Sequence, residues 1–179
     1  IGLEIGDGLF IHPIIGERKP GDFPPEAIVE AYDWVVNNLY PKNRVLLSFL
    51  WTWMRFAGPR EALHHCLVRK NYGATHHIIG RLHASPAGFY PEYATHDFLK
   101  RFSVEELGLE PLLLKGPFYC KKCGMVATEN TCGHNEEDRI KISMTFVRKK
   151  LREGKIDEIP ETIIRPEILR IALKYVDRI

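Results

Sequence analysis

The sequence predicts an α/β protein with a parallel sheet, a metal-binding knuckle and a small helical C-terminal subdomain. Up to about residue 114, short apolar runs alternate with helical segments, an order typical of parallel strands joined by right-handed crossover helices. A Cys-rich stretch at residues 119–134 follows, and basic and amphipathic helical segments come after it. We therefore place the α/β layer with its knuckle in residues 1–138 and the helical subdomain in residues 139–179.

Composition limits the classes of function. The 179 residues are 45% hydrophobic and 27% charged, which indicates a soluble globular protein. The formal net charge of +2 argues against a broad nucleic-acid surface, so any anion site is local. No apolar run approaches the roughly 18 residues of a membrane-spanning helix, and no signal peptide is visible. The clustering of three of the four cysteines near a histidine favours metal over disulfides, and so a reducing, cytoplasmic compartment.

The first elements are read from short-range patterns. Residues 8–13 predict a buried strand closed by His-Pro, and the Gly- and Pro-rich residues 16–25 predict a loop. A helix is predicted from Pro25 to Leu39, because proline suits a first helical turn and apolar residues recur at helical spacing. Residues 1–8 resemble the end of a helix, so we expect the natural N-terminus to lie upstream.

The same order continues along the chain. Pro59 fits the start of a second long helix, and Asn-Tyr-Gly at residues 71–73 fits its end. A polar link is predicted at residues 154–164. The remaining predicted elements are strands at residues 44–49, 75–79 and 112–114, and helices at residues 59–70, 143–152 and 166–178.

Glycine, arginine and histidine follow the strand predicted at residues 75–79, where open α/β sheets bind their ligands. Gly80 allows a ligand to approach the backbone, Arg81 offers a bidentate fork to an oxyanion, and His83 offers a neutral or charged donor. The structural alternative is an Arg81 paired with a surface carboxylate and a His83 packed on its neighbours.

Further anion contacts are predicted at Arg55, Arg60 and His12. Arg60 falls in the first turn of a helix, whose free N–H groups attract anions, although the turn can equally be a solvated helix start. His12 directly follows the first strand, and its alternative is a packed or loop-bonded histidine. The pairs His64–His65 and His76–His77 are poor metal sites, because adjacent residues do not share a face of a helix or strand.

The stretch at residues 119–134 has the spacing of a zinc site. Two thiols separated by two residues can bind one tetrahedral ion, and a Cys-x-His pair follows across an eight-residue loop. The predicted ligands are Cys120, Cys123, Cys132 and His134. Glu136 and Glu137 are alternatives as fourth ligand, and a chance cluster of free thiols is the alternative to a metal. Four protein ligands leave no position for water, so a zinc ion here would be structural.

Several blocks together resemble the ATP sulfurylase (sulfate adenylyltransferase) family over essentially the whole chain. Residues 9–16, 54–62 and 69–76 are similar to successive family blocks, and Gly80-Arg-Leu-His-Ala84 resembles the family's Gly-Arg-Asp-His-Ala-Gly loop. The knuckle resembles the zinc-bearing insert of many prokaryotic members. Residues 142–148 resemble the family's C-terminal Ser-Gly-Thr block, which precedes a helical tail.

The resemblance implies a Rossmann-like nucleotidyltransferase fold that makes adenosine 5′-phosphosulfate and pyrophosphate from sulfate and MgATP. It implies that ATP lies against Gly80, Arg81, Leu82, His83 and Val126. It further implies that Ala84 offers its backbone N–H to sulfate, and it identifies no certain catalytic residue in this chain. A structural zinc, magnesium bound with ATP, a homodimer and a cytoplasmic location complete the expectation, with neither nucleic acid nor membrane as a partner.

This chain departs from the family pattern before Ile1 and at three positions within the sequence. The family's Gln-x-Arg-Asn-Pro-x-His-x-x-His segment and its N-terminal PUA-like domain would precede Ile1, so we expect residues 1–179 alone to be inactive. Leu82 stands where the family has Asp, Ser85 where it has Gly, and Met144 where it has the Gly of Ser-Gly-Thr. The alternatives are therefore a non-catalytic nucleotide-binding or interaction module and, from the lysines at 121 and 122 and the basic helix, a zinc-ribbon RNA binder.

Overall fold

The computed structural model describes residues 1–17, 19–86 and 88–179, and its contacts divide the chain into two compact units. Unit 1 comprises Ile1–Asp7 and Met54–Gly116, and unit 2 comprises Gly8–Trp53 and Pro117–Ile179. Both units are discontinuous in sequence. The residues of unit 1 after Asp7 therefore fold as an insertion within unit 2.

The helices are α1 (Gly2–Ile5), α2 (Pro25–Leu39), α3 (Pro59–Asn71), α4 (Ala94–Leu99), α5 (Val104–Leu107), α6 (Met144–Arg152) and α7 (Pro166–Leu173). The strands are β1 (Leu9–Ile11), β2 (Val45–Leu47), β3 (His76–Ile79), β4 (Glu110–Leu113), β5 (Phe118–Cys120), β6 (Met125–Ala127) and β7 (Arg139–Lys141). Short 3₁₀ turns occupy Glu136–Asp138, Ile156–Glu158 and Val176–Arg178.

The predicted parallel pairing is confirmed in both units. In unit 2, β1 pairs with β2 with Phe10 opposite Leu46, and an isolated parallel bridge from Ile14 to Leu50 follows. In unit 1, β3 pairs with β4, with Ile79 opposite Leu113. Helix α2 connects the first pair, and α4 and α5 lie between the strands of the second. The described residues are therefore α/β, as the alternation of elements predicts.

Local sequence explains most helix boundaries. Helix α2 spans the predicted residues, and α3 runs to Asn71, one residue past its predicted end. The predicted C-terminal helix is shorter than expected, because after Leu173 the Lys174 and Tyr175 amides donate to carbonyls three residues back. Such bonds tighten a last helical turn, and the chain continues as a 3₁₀ turn.

Two helices and the knuckle sheet were not anticipated from the sequence. Helix α5 begins at a capping box, in which the Ser103 hydroxyl accepts from the Glu106 amide and the Glu106 carboxylate accepts from the Ser103 amide. Ser-x-x-Glu is a visible signal for such a start. Strands β5, β6 and β7 form an antiparallel sheet in the order β6-β5-β7. Each has only three residues, too few for a pattern of alternation to be read from the sequence.

Each unit has its own apolar core. In unit 1, Cys66, Ile79, Leu99 and Leu109 are at most 2% exposed and pack together, so Cys66 is a buried member of this core. Burial of a side chain the size of Leu or Ile contributes roughly 1.5–3 kcal/mol relative to exposure. In unit 2, the core joins α6 and α7 to the segment between them. Its buried members are Val147, Leu151, Ile159, Ile164 and Ala172. Across the described residues, every helix is too short or too polar to cross a bilayer.

Candidate functional site

Two loops of unit 1 are bound to each other through their main chains. The 54–58 loop precedes α3, and the 80–85 loop follows β3. The Gly58 amide donates to the Ala84 carbonyl at 3.0 Å, and the Tyr90 hydroxyl donates to the Ala57 carbonyl at 3.4 Å. A Cβ on Gly58 would stand 2.6 Å from the Tyr90 ring, so this contact requires glycine. The structure thus brings together the two segments that the sequence marks as anion-binding.

Backbone strain is concentrated in these same loops. Among the described residues, the non-glycine positions with a positive φ are Phe56 (56°), Leu82 (54°) and Ala84 (56°). A left-handed backbone is unfavourable for such side chains and is found most often where a functional geometry is enforced. Neighbouring residues hold the 80–85 loop in this shape, since the Leu82 amide donates to the Glu92 carbonyl and the Ser85 amide donates to the Leu82 carbonyl.

Glu61 holds the 54–58 loop. It is 4% exposed and lies in the first turn of α3. Its Oε1 accepts from the Arg55 amide at 2.8 Å, and its Oε2 accepts from the Ala57 amide at 2.9 Å. A buried carboxylate with both oxygens bonded to main-chain amides fixes the loop on either side of Phe56, and the helix N-terminus favours its negative charge.

The start of the 80–85 loop is open to an incoming ligand. A Cβ built on Gly80 meets no described atom within 4 Å. The Nη1 of Arg81 lies 2.9 Å from Glu92 Oε1, so the ion pair of the structural alternative is present. Its Nε and Nη2 have no acceptor among the described residues. The Ala84 N–H likewise has no acceptor within the described part of the chain, whereas its carbonyl is bonded to Gly58.

His83 belongs to a cluster of imidazoles in unit 1. Its Nε2 is 3.1 Å from the Nδ1 of His65, and the two rings meet edge to face with centroids 5.4 Å apart. The ring of His77 meets His83 in the same way at 5.5 Å. The buried His96, which acts electrostatically on His83, places its Nε2 3.2 Å from the Ile79 carbonyl. The packed His83 of the structural alternative is therefore also present.

The imidazoles of His65, His77 and His83 are neutral at neutral pH. Burial, with a contribution from the positive charge of Arg69, lowers the pKa of His65 to about 3 and that of His83 to about 4. Burial, then His83 and Arg69, lowers the pKa of His77 to about 3. Of the two donor states left open by the sequence, the structure therefore gives His83 the neutral one.

The other predicted anion contacts lie in two different settings. Arg55 and Arg60 are exposed in unit 1, and Arg60 has no ion-pair partner among the described residues. His12 lies in unit 2, where it is 8% exposed and its ring stacks on Phe10 with centroids 4.6 Å apart. His12 is thus buried against Phe10 in unit 2.

The predicted knuckle ligands converge on one point in unit 2. The ligand atoms of the four residues all lie within 4.8 Å of one another. The Nδ1 of His134 is 3.4 Å from Cys120 Sγ, 3.3 Å from Cys123 Sγ and 3.4 Å from Cys132 Sγ. One ring nitrogen cannot bond three thiols through a single hydrogen. Tetrahedral zinc, with bonds of about 2.3 Å to sulfur and 2.05 Å to nitrogen, places S and N about 3.5 Å apart. The residues therefore fit a metal ion.

Contacts within the protein hold these ligands in place. Gly124 has a φ of 67° behind Cys123, as the turn between the first two thiols requires. The Nε and Nη2 of Arg139 both donate to the His134 carbonyl, at 3.1 and 2.7 Å, while the guanidinium lies 4.5 Å over the Phe118 ring.

Val126, the predicted adenine contact, is 51% exposed on β6.

The basic residues behind the RNA-binder alternative are largely paired. Lys122 contacts Asp138 at 2.8 Å, and Arg148 contacts Asp22 at 2.9 Å. Lys150 forms an ion pair with Glu158. These pairs reduce the positive charge that α6 and the knuckle offer to a phosphate backbone.

The sequence indicated His83 but missed the residues that hold it. Glu61 and His65 are four apart on α3, a spacing that places them on one face, and this signal could have identified the pair. The contact of His65 and His77 with His83 depends on tertiary structure. Of each adjacent histidine pair, only the second member joins the cluster, and among the described residues the one group suited to a metal is the knuckle.

Comparisons with known proteins identify the family of this chain. The ATP-sulfurylase family model matches residues 1–175. The sulfate adenylyltransferase of Ignicoccus hospitalis is 47% identical over 175 residues, which are 98% of this chain and 45% of that protein. The enzyme of Hyperthermus butylicus is 44% identical over 173 residues, which are 97% of this chain and 43% of that protein. The chain thus spans less than half the length of these relatives.

A solved structure shares the fold. The hexameric APS kinase from Thiobacillus denitrificans superposes with a TM-score of 0.67 at 19% identity, over 95% of this chain and 30% of that one. At such low identity the likeness concerns the fold alone. The match of the family model and the identity to the curated relatives extend over nearly all of these residues, and this chain belongs to the ATP-sulfurylase family.

Proposed function

We propose that this chain supplies the nucleotide loop of a sulfate adenylyltransferase, which makes adenosine 5′-phosphosulfate and pyrophosphate from ATP and sulfate. The observation that carries the proposal is the hydrogen bond between Gly58 and Ala84, which joins the 54–58 and 80–85 loops. Among the described residues, the non-glycine positions with a positive φ all lie in these two loops. Relatives named sulfate adenylyltransferase match at 40–47% identity over this part of their length.

The reaction needs positioning and charge neutralisation more than covalent help. A sulfate oxygen attacks the α-phosphate of ATP in line, and the bond to the β-phosphate oxygen breaks to release pyrophosphate. Negative charge is crowded on both reactants, so N–H and guanidinium groups that face them lower the barrier. Magnesium bound with ATP supplies further charge neutralisation at the phosphates.

The residues of the 80–85 loop suit these tasks. The open face of Gly80 admits the nucleotide, and the Nε and Nη2 of Arg81 are free to donate to a phosphate while Nη1 contacts Glu92. The unused N–H of Ala84 suits a sulfate oxygen, as the family resemblance implies. Leu82 and His83 line the ATP site, and the neutral ring of His83 holds a hydrogen bond rather than an ion pair.

The remaining assignments are part of the same proposal. Val126 contacts adenine, and Arg55, Arg60 and His12 contribute to anion binding. The knuckle holds one structural Zn²⁺ through three thiolates and His134, which ties β5, β6 and the β7 side of the sheet together. Residues 1–138 form the catalytic layer, and residues 139–179 form a helical subdomain. The protein is a cytoplasmic homodimer, and sedimentation of the complete gene product would measure its number of subunits.

The proposal is tested by sulfate-dependent release of pyrophosphate from MgATP by the complete gene product. Arg81→Ala should lower kcat/KM by roughly 10²–10³-fold, the usual effect of removing one preorganised donor. Arg101→Gln is the matched control, because Arg101 is an exposed arginine of unit 1 outside both loops. No sulfate-dependent turnover from the complete wild-type protein would overturn the proposal.

The main alternative is a non-catalytic nucleotide-binding module. Leu82 favours it, since the family's Asp carboxylate is missing from the loop. Calorimetry with MgATP separates the two: a module binds ATP and releases no pyrophosphate with sulfate, whereas the enzyme does both. The RNA binder is the weaker alternative, because Lys122, Arg148 and Lys150 are paired with carboxylates.

A further inference from the structure

A chain of polar contacts leads from the 54–58 loop to His83. Glu61 accepts hydrogen bonds from the Arg55 and Ala57 amides. One helical turn later, His65 places its Nε2 3.7 Å from Glu61 Oε1, an electrostatic contact that is longer than a hydrogen bond. The other nitrogen of His65, Nδ1, lies 3.1 Å from His83 Nε2. A buried carboxylate is thus connected to the histidine of the proposed ATP loop through a second imidazole.

The direction of these contacts follows from the donors and acceptors available. Both oxygens of Glu61 already act as acceptors, which is the behaviour of an ionised carboxylate. A nitrogen lone pair of His65 facing Oε1 would set acceptor against acceptor. The favoured proton position on His65 is therefore Nε2, and its Nδ1 then carries the lone pair.

The same argument passes to the next ring. A neutral imidazole carries one proton, and all three rings of the cluster are neutral at neutral pH. Because His65 Nδ1 is an acceptor, the 3.1 Å contact requires a proton on His83 Nε2. His83 Nδ1 makes no hydrogen bond to another described residue, so it remains available as an acceptor.

We propose that Glu61 and His65 are positioning residues that fix the tautomer of His83, so that His83 offers an acceptor at Nδ1 to the nucleotide. This inference rests on the proposed function for its consequence, since His83 lies in the proposed ATP loop. Phosphate oxygens are themselves acceptors and do not bond such a nitrogen. The partner of His83 is therefore a donor of the bound MgATP, namely a ribose hydroxyl, the adenine amino group or a magnesium-bound water.

The charged and titratable groups facing His83, taken together with its burial, favour a neutral ring. Arg69 lies one turn beyond His65 on α3, and its positive charge opposes a second cation. His77 from β3 and His96 from α4 are the other neighbours. The negative charge of Glu61 acts in the opposite sense, but burial and Arg69 outweigh it, since the pKa of His83 is lowered to about 4.

The tautomer is measured directly in the complete gene product labelled with ¹⁵N-histidine. Two-bond ¹H–¹⁵N correlation spectra at neutral pH should show His83 with its proton on Nε2. In His65→Leu the acceptor is lost and His83 should populate both tautomers, whereas His65→Asn keeps a side-chain oxygen acceptor and should retain the wild-type pattern. His64→Leu, an exposed neighbour on the same helix, is the matched control.

The kinetic consequence is a fall in kcat for His65→Leu. Where a histidine takes a proton in the reaction, a wrong tautomer lowers kcat roughly 10⁴-fold. Because His83 only holds a hydrogen bond, we expect kcat to fall by about ten- to hundredfold. His65→Asn should recover most of this loss. If wild-type His83 carries its proton on Nδ1, the inference is wrong whatever the activity. If the wild type lacks turnover but shows the Nε2 proton, the proposed function fails and the positioning network stands. Should His65→Leu fail to fold, the spectra of the wild type and of His65→Asn still test whether His83 carries its proton on Nε2.

Discussion

The knuckle of unit 2 and the imidazole cluster of unit 1 use histidine in opposite ways. In the knuckle, the Nδ1 of His134 faces three thiol sulfurs at 3.3–3.4 Å, an arrangement that attracts a divalent cation. In the cluster, His65, His77 and His83 meet ring to ring beside Arg69. Burial first, and then the cationic guanidinium of Arg69, keep these rings neutral and disfavour a metal.

The difference shows that the surroundings of a histidine, more than the histidine itself, decide its role. Ligands that become anionic turn an imidazole toward metal binding, whereas burial, reinforced by the charge of Arg69, leaves it as a neutral hydrogen-bonding group. The structural demands differ too. The knuckle is a local loop of short sequence separation, but the cluster collects residues from α3, β3 and the 80–85 loop. Removing a key group from each region should therefore have different consequences.

The largest expected effect is the loss of the knuckle on removal of its metal. Cys132→Ser should abolish stoichiometric zinc and unfold the three-stranded sheet β6-β5-β7, because a structural zinc typically contributes roughly 10–16 kcal/mol of binding free energy. Elemental analysis measures the zinc, and hydrogen exchange of the β5 amides measures the sheet. A chelator acting on the wild-type protein should reproduce both results.

Cys66→Ala is the matched control for this experiment. Cys66 is the fourth cysteine, fully buried in the core of unit 1 and outside the ligand set. The Cys66→Ala variant should keep the zinc content at one ion per chain. Its free energy of unfolding should fall only by the amount expected for a small change in packing. Equal loss of zinc from both variants, or a wild-type protein without zinc, would contradict the metal assignment.

The knuckle could be predicted because its determinants are local. Cys-x-x-Cys followed by Cys-x-His specifies the ligand set within fifteen residues, and the structure brings all four ligand atoms together. The start of α2 is likewise local, being set by Pro24 and Pro25. The short strands β5–β7 were missed because their pairing depends on the knuckle itself rather than on alternation.

A second, smaller effect is acid destabilisation of unit 1. The pKa values of His65 and His77 are about 3 and that of His83 about 4, against an unfolded value near 6.5, so the unfolded state binds more protons below that pH. Their stabilising contribution is complete above about pH 6.5 and is lost as pH falls toward 4. Each of these three histidines should remove up to about 1.4 kcal/mol per pH unit in this window.

The comparison of wild type with His77→Gln isolates this effect. Glutamine does not titrate, so the pH slope of the free energy of opening should fall by up to about 1.4 kcal/mol per pH unit between pH 6.5 and 4. Hydrogen exchange of the β3 amides reports it, and acid loss of zinc from the other unit is common to both proteins. Identical slopes would show that His77 is already protonated or exposed in the folded protein.

The cluster could be predicted only in part. His83 was visible from its place after β3, but its partners lie on other elements, and no short-range pattern pairs His77 with His83. Glu61 and His65 carried a usable signal in their i,i+4 spacing. The backbone conformations of the 54–58 and 80–85 loops could not be read from the sequence, because Phe, Leu and Ala ordinarily avoid a positive φ.

The smallest effect should come from relieving that strain at Leu82, whose φ is 54°. A left-handed backbone costs most L-residues roughly 1–2 kcal/mol, and Asn adopts it more readily, so Leu82→Asn should raise the free energy of unfolding by about 1 kcal/mol. Leu67→Asn is the control, because Leu67 is 38% exposed on α3 and asparagine there should lower stability by roughly half a kcal/mol. Denaturant titration measures both variants. A third variant, Leu82→Asp, restores the family's residue and separates backbone relief from the effect of a carboxylate beside Arg81. If Leu82→Asp raises sulfate-dependent turnover and Leu82→Asn does not, the missing carboxylate limits the activity of this loop. If both variants change turnover equally, the effect belongs to the backbone conformation of the loop.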